Sequence, residues 1–125
     1  MTIYLAGPWS QRDTVRLLRR QFEAAGINVK SDWIDWHGGA TDDAGLRQEA
    51  LHDLRQIHSA DAFVVVNLEV SEGKACEFMW AYSKHKPTIS VGETPNIFHT
   101  LATYRVHTVQ EAIVALHSHR PALRS

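Results

Sequence analysis

Residues 62–66 read Ala62-Phe63-Val64-Val65-Val66, five apolar side chains in unbroken succession behind Ser59-Ala60-Asp61. A short, β-branched apolar run of this kind is a strand buried on both faces rather than on one. It predicts a sheet with helices on both sides. Upstream, residues 44–59 have helical spacing, with Leu46, Ala50, Leu51, Leu54 and Ile57 expected to face inward. Asp35 to Ala44, with Gly38-Gly39 and three acids, reads as a loop, and Trp33 and Trp36 stand at its entrance. Ile27 to Ile34 reads as a second strand. A helix is expected from Gln11, with Val15, Leu17, Leu18, Phe22 and Ala25 inward, Gly26 as the residue that ends it, and Arg12, Arg16, Arg19 and Arg20 as a solvated basic face. Thr2 to Ala6, closed by Gly7-Pro8, is another buried strand.

Downstream of residue 66, the Ser71-Glu72-Gly73-Lys74 turn opens a helix that runs to about His85, and Pro87 to Val91 form a strand. A short helical segment around Pro95 to Leu101, a weak strand at Tyr104 to His107 and a helix from Thr108 to His117 follow. The tail, 118–125, is expected to fray. Strands alternating with helices through short connections specify a single doubly wound α/β domain, flavodoxin- or Rossmann-like, over residues 1–125. Its sheet should be parallel, with about five strands.

The 125 residues are 44% hydrophobic and 22% charged, which is the make-up of a folded domain rather than a disordered chain. A formal net charge of −1 supplies no basic field, so neither polymeric nucleic acid nor an anionic membrane is an expected partner. The single cysteine, Cys76, excludes an internal disulfide and a multi-cysteine zinc site, and it reads as a small buried side chain. Neither His52 and His58 nor His117 and His119 have the i, i+4 spacing of a helical zinc site, so no metal is expected, and no cofactor. The N-terminus lacks a basic segment followed by an apolar one, and a cytoplasmic location is expected.

In open parallel sheets ligands bind beyond the carboxyl ends of the strands, where the winding reverses. That edge receives Gly7, Pro8, Trp9 and Ser10 from the first strand and the segment ending at Ser71 from the third. Neither a dinucleotide fingerprint nor a phosphate-binding P-loop pattern follows the first strand. Glu77 falls in the first turns of a helix at this edge, where an acid can serve chemistry or simply oppose the helix dipole. Asp53 stands in mid-helix beside Leu51, Leu54 and Ile57, where an acid is usually a solvated side chain. The residue pattern alone leaves both open.

Ile3-Tyr4-Leu5-Ala6-Gly7-Pro8, His52-Asp53-Leu54, Ser59 to Val66, and Gly73-x-x-x-Glu77-x-x-x-Ala81-x-x-x-x-Lys86-Pro87 together resemble the nucleoside 2-deoxyribosyltransferase superfamily. The resemblance spans most of residues 3–91. It implies that Glu77 is a nucleophile for the anomeric carbon, that Asp53 assists proton transfer to the leaving base, and that Tyr4 orients Glu77. It also implies a nucleoside or nucleoside 5′-monophosphate as small-molecule substrate, and a homodimer or higher homo-oligomer whose neighbouring subunit helps complete the site. Ser71 stands where the superfamily's transferases carry an acid and its monophosphate hydrolases a serine. A hydroxyl can donate to a phosphate that an acid would repel. Gly7, Pro8, Trp9, Ser10, Arg12, Gly73, Asn96 and His99 complete the expected binding residues, with Trp9 open between base stacking and core packing. Pro8 departs from the Ser- and Gly-rich loop of those hydrolases and cannot donate, so Ser10 or Arg12 is expected to take its place. Lys74 reads as a solvated lysine able to add positive charge. The leading expectation is hydrolysis of a (deoxy)nucleoside 5′-monophosphate. Base exchange between deoxyribonucleosides stands second, and a non-catalytic nucleotide-binding domain third.

Overall fold

The computed structural model describes residues 1–36, 39–93 and 96–119; the expectations for Gly38, Pro95 and the end of the tail, 120–125, lie outside these residues. The elements run β1 (Thr2–Ala6), α1 (Arg12–Ala24), β2 (Asn28–Val29), α2 (Asp43–Ser59), β3 (Ala62–Val66), α3 (Glu72–Ser83), β4 (Thr88–Val91), β5 (Tyr104–Val106) and α4 (Val109–Ser118). Short 3-10 turns occupy Trp9–Gln11, Asp32–Asp35 and Ile97–Leu101. The five strands pair in parallel in the order β2-β1-β3-β4-β5, the doubly wound arrangement that the sequence predicts. Winding reverses between β1 and β3, the flavodoxin-type switch point. Every residue of β3 is buried, as a strand covered on both faces requires. α1 packs with α4, and α2 packs with α3.

β2 is much shorter than the strand expected over Ile27 to Ile34. Beyond Lys30, whose amide still donates to the Ile3 carbonyl, the edge of β1 is satisfied by side chains instead of a neighbouring strand. Ser31 Oγ accepts from the Leu5 amide at 2.6 Å and Trp33 Nε1 donates to the Leu5 carbonyl at 2.9 Å. Both main-chain groups of Leu5 are thereby paired, and the chain is free to turn at Asp32–Asp35. That turn is clamped from two sides. Arg19 grips Asp35 with two bonds of 2.7 and 3.0 Å and Arg16 donates to the Ile34 carbonyl, while on α2 His52 meets Asp32 and Gln56 accepts the Asp32 amide. Arg16 and Arg19 of the basic face of α1 are therefore engaged rather than merely solvated.

α2 departs from expectation in a way that matters for function. Ile57 is buried, but Leu46 and Leu51 are 47% and 41% exposed, and Ala50 is exposed as well. α1 likewise buries Val15 and Phe22 yet leaves Leu17 exposed. α3 stops at Ser83 rather than His85 because His85 takes a left-handed conformation, φ 59°, and returns the chain toward β4.

Candidate active site

Tyr4, central in β1, is fully buried and stacks on Phe63 of β3 with ring centroids 5.8 Å apart and planes 5° from parallel. Its hydroxyl leaves the core toward α3 and donates to Glu77 Oε2 at 2.8 Å. Burial holds the phenol well above its ordinary pKa, with the Glu77 and Asp53 charges acting in the same direction, so it remains a donor. Burial also raises Glu77, to about 8, helped by the neighbouring Asp53 charge, and raises Asp53 to about 6. Asp53 Oδ1 is itself buried without a hydrogen-bond partner. Two carboxyl groups this close titrate as a pair, sharing one proton across neutral pH. Such a pair presents one carboxylate and one carboxylic acid to the same space.

That space is a cavity of about 580 Å³, within the range of small-molecule sites. Gly7, Ser71, Gly73 and Glu77 reach it from the ends of β1 and the start of α3. A β-carbon at Gly7 would lie 2.7 Å from Val15 Cγ2 and 3.1 Å from Val66 Cγ2, so only glycine lets the chain pass there undisturbed. α2 contributes one continuous stripe, Leu46, Glu49, Ala50, Asp53 and Leu54, at i, i+3, i+4, i+7 and i+8. The helical face that reads as core-directed thus faces the cavity. Trp9, Trp33 and Trp36 form another wall, with the Trp9 centroid 6.5 Å from each of the other two. Trp9 is 41% exposed, and the Arg12 guanidinium lies 3.8 Å over its ring.

At the start of α3, Ser71 is the N-cap and its hydroxyl accepts from the Lys74 amide. Lys74 is only 1% exposed, contrary to the solvated lysine expected, and the residue forms part of the cavity lining. Its hydrogen-bond partner is a neutral group, the Glu69 carbonyl, and no carboxylate of the described residues lies within ion-pair distance. Burial accordingly lowers its pKa. Cys76, expected to be buried, is exposed and on the cavity wall.

The cavity therefore gathers Gly7, Trp9, Asp53, Ser71, Gly73 and Glu77, with Tyr4 bonded behind Glu77. It does not gather Pro8, Ser10, Arg12, Asn96 or His99. Pro8 is buried and precedes the Trp9–Gln11 turn. Ser10 donates to the Glu69 carboxylate, which Gln11 also binds, and Arg12 is spent on Trp9. Asn96 caps the Ile97–Leu101 turn, and His99 is buried against Phe78, with ring centroids 5.0 Å apart. Trp33, Trp36 and Glu49 were not among the expected site residues, although the tryptophan pair at the loop entrance was the visible signal for two of them.

No family model and no curated protein matches this chain. Among solved structures it is similar to the 2-deoxyribosyltransferase of the psychrotolerant bacterium Bacillus psychrosaccharolyticus, with a TM-score of 0.76 and 19% identity over 98% of this chain and 94% of that one. It is also similar to the Clostridium botulinum CMP N-glycosidase BcmB, with a TM-score of 0.60 and 20% identity over 94% of this chain and 98% of that one. The fold built around the Tyr4, Asp53 and Glu77 cluster is the fold of these two proteins.

Proposed function

We propose that this chain is an N-glycosidase of the nucleoside 2-deoxyribosyltransferase superfamily, acting on a (deoxy)nucleoside 5′-monophosphate. The observation that carries this reading is the half-buried Tyr4–Glu77 hydrogen bond beside Asp53, opening onto a cavity at the sheet's switch point. In the free protein Glu77 holds the pair's proton more tightly than Asp53; attack proceeds from the form in which that proton has passed to Asp53, and Glu77 then attacks C1′ as the C1′–N bond breaks. The bonding pair leaves with the base, and Asp53 supplies its proton. Asp53, now a carboxylate, takes a proton from water as the water oxygen attacks C1′ and the ester to Glu77 breaks. The cycle is that of a retaining glycosidase, with one acid and one nucleophile. Tyr4 engages one Glu77 oxygen and leaves the other for attack.

The phosphate belongs at the start of α3. There the helix-start amides, the Ser71 hydroxyl and the Lys74 ammonium favour an anion, and no carboxylate of the described residues lies within ion-pair distance of Lys74. A second reading, base exchange on an unphosphorylated deoxyribonucleoside, is favoured by the loop after β1, where Ser10 and Gln11 are taken by Glu69 rather than left for a phosphate. Base release from paired nucleosides and 5′-monophosphates, with and without a second free base, separates the two. Monophosphates should have the higher kcat/KM, and Ser71→Ala should erode the preference by about 1–3 kcal/mol. Faster consumption of nucleosides, accelerated by the added base, would instead establish exchange. No base release from any of them would leave a binding domain.

A further inference from the structure

The segments that follow β1 and β3 both reach the cavity, and one residue ties them together. Glu69 accepts from Ser10 Oγ at one carboxylate oxygen and from Gln11 Nε2 at the other, the latter at 3.1 Å, and its main-chain carbonyl accepts from Lys74 Nζ. Trp9, next to Ser10, and Ser71, just beyond Glu69, both line the cavity, so the bridge stands beside it. Three donors suited to an anion at this edge of the sheet thus converge on a residue that carries an anion of its own. The bonds from Ser10 and Gln11 hold the Glu69 carboxyl below the usual carboxylate range, which leaves it ionised at neutral pH. Its side chain is exposed, and hydrogen bonds in water exchange partners at small net cost. A carboxylate gripped by a hydroxyl and an amide is held as a phosphate would be.

Resting on the glycosidase reading, we infer that Glu69 is a specificity-determining residue, an internal stand-in for the substrate's 5′-phosphate: its carboxylate keeps Ser10 and Gln11 in the free protein, and a phosphate monoester bound at the start of α3 displaces it and takes those donors over. A dianion arriving beside Glu69 repels it and so favours the exchange, but opening the bridge and bringing like charges together both lower affinity for the phosphate. An unphosphorylated nucleoside leaves the bridge intact. Glu69 therefore narrows the advantage of monophosphates over nucleosides, acting by exclusion rather than by contact with the reacting atoms.

The test is calorimetric titration of the protein with 2-deoxyribose 5-phosphate and with 2-deoxyribose, which requires no turnover. Glu69→Ala should tighten binding of the sugar phosphate roughly three- to tenfold, the lower end reflecting the exposure of the bridge, and leave the free sugar as it is. Glu69→Gln, which keeps the shape and removes the charge, should give part of the same gain. In a chain already carrying Ser10→Ala and Gln11→Ala, adding Glu69→Ala should change the affinity by less than about twofold, because the donors it would release are gone. Sugar phosphate affinity that is unchanged or weaker in both Glu69 variants overturns the inference, as does an equal gain for the free sugar, which would mean a general opening of the cavity. An undiminished gain in the Ser10→Ala, Gln11→Ala background also overturns it, since repulsion alone would then be at work. Where monophosphates are cleaved, Glu69→Gln should raise their kcat/KM relative to the matching nucleosides through KM, with kcat held. Tighter sugar phosphate binding with no nucleotide cleaved leaves the inference standing and removes the glycosidase reading, whereas cleavage with unmoved affinities does the reverse.

Discussion

Glu77 and Asp53 show how much chemistry a pair of carboxyl groups takes from its surroundings. In the sequence each has an ordinary explanation, a first-turn acid opposing a dipole and a mid-helix acid in solvent. What distinguishes them is the contact with Tyr4, 73 residues from Glu77 along the chain, and the burial that goes with it. Motif spacing points to the residues, but only the packing supplies the pKa values. Lys74 is the converse case. A lysine in a helix-opening turn reads as solvated, yet here it is sealed under the chain between Glu69 and α3. Burial of the carboxyl pair has a consequence for stability. Glu77 rises from 4.5 to about 8 and Asp53 from 3.8 to about 6, so between those limits the folded protein holds protons that the unfolded chain has released. This contribution is fully present below the unfolded values and is lost as pH rises through the folded ones. Glu77→Gln removes Glu77's share of the loss. Thermal unfolding should therefore show the variant gaining on wild type from pH 4.5 to pH 8.5; a difference independent of pH would contradict the buried, proton-sharing pair.

At the scale of elements, periodicity locates stripes but does not say what they face. The spacing of Leu46, Ala50 and Leu54 specifies an amphipathic helix whether its apolar side meets a core or a ligand cavity. Only the position of α2 over the end of β1 settles the matter. β2 fails for a different reason, since its β-branched and aromatic residues are present but Ser31 and Trp33 use side chains to pair with Leu5, which no propensity encodes. Gly7 is the element joint on which the site depends. It lets the chain leave β1 between Val15 and Val66, so Gly7→Ala forces α1 or β3 to shift. Denaturant unfolding should register a loss of about 1–3 kcal/mol, the usual cost of overpacking. An unchanged midpoint would mean that the joint is looser than its contacts indicate.

For the whole molecule, the reading from Ala62-Phe63-Val64-Val65-Val66 outward reaches the right architecture because a strand buried on both faces needs helices on both sides. Short connections then leave few ways to wind the chain. The order β2-β1-β3-β4-β5 places the ends of β1 and β3 side by side, and the site forms where they part. What the chain order does not contain is the far wall, where the tryptophans and α2 enclose the space. Among the described residues no helix is long and apolar enough to cross a membrane. The account's central claim is that Glu77 is the nucleophile of this site, and base release by Glu77→Gln, with folding checked by circular dichroism, tests it most directly. The variant keeps the shape and removes the charge, so turnover of the best monophosphate should fall at least about a hundredfold. Near-normal turnover by a folded Glu77→Gln protein would contradict the claim.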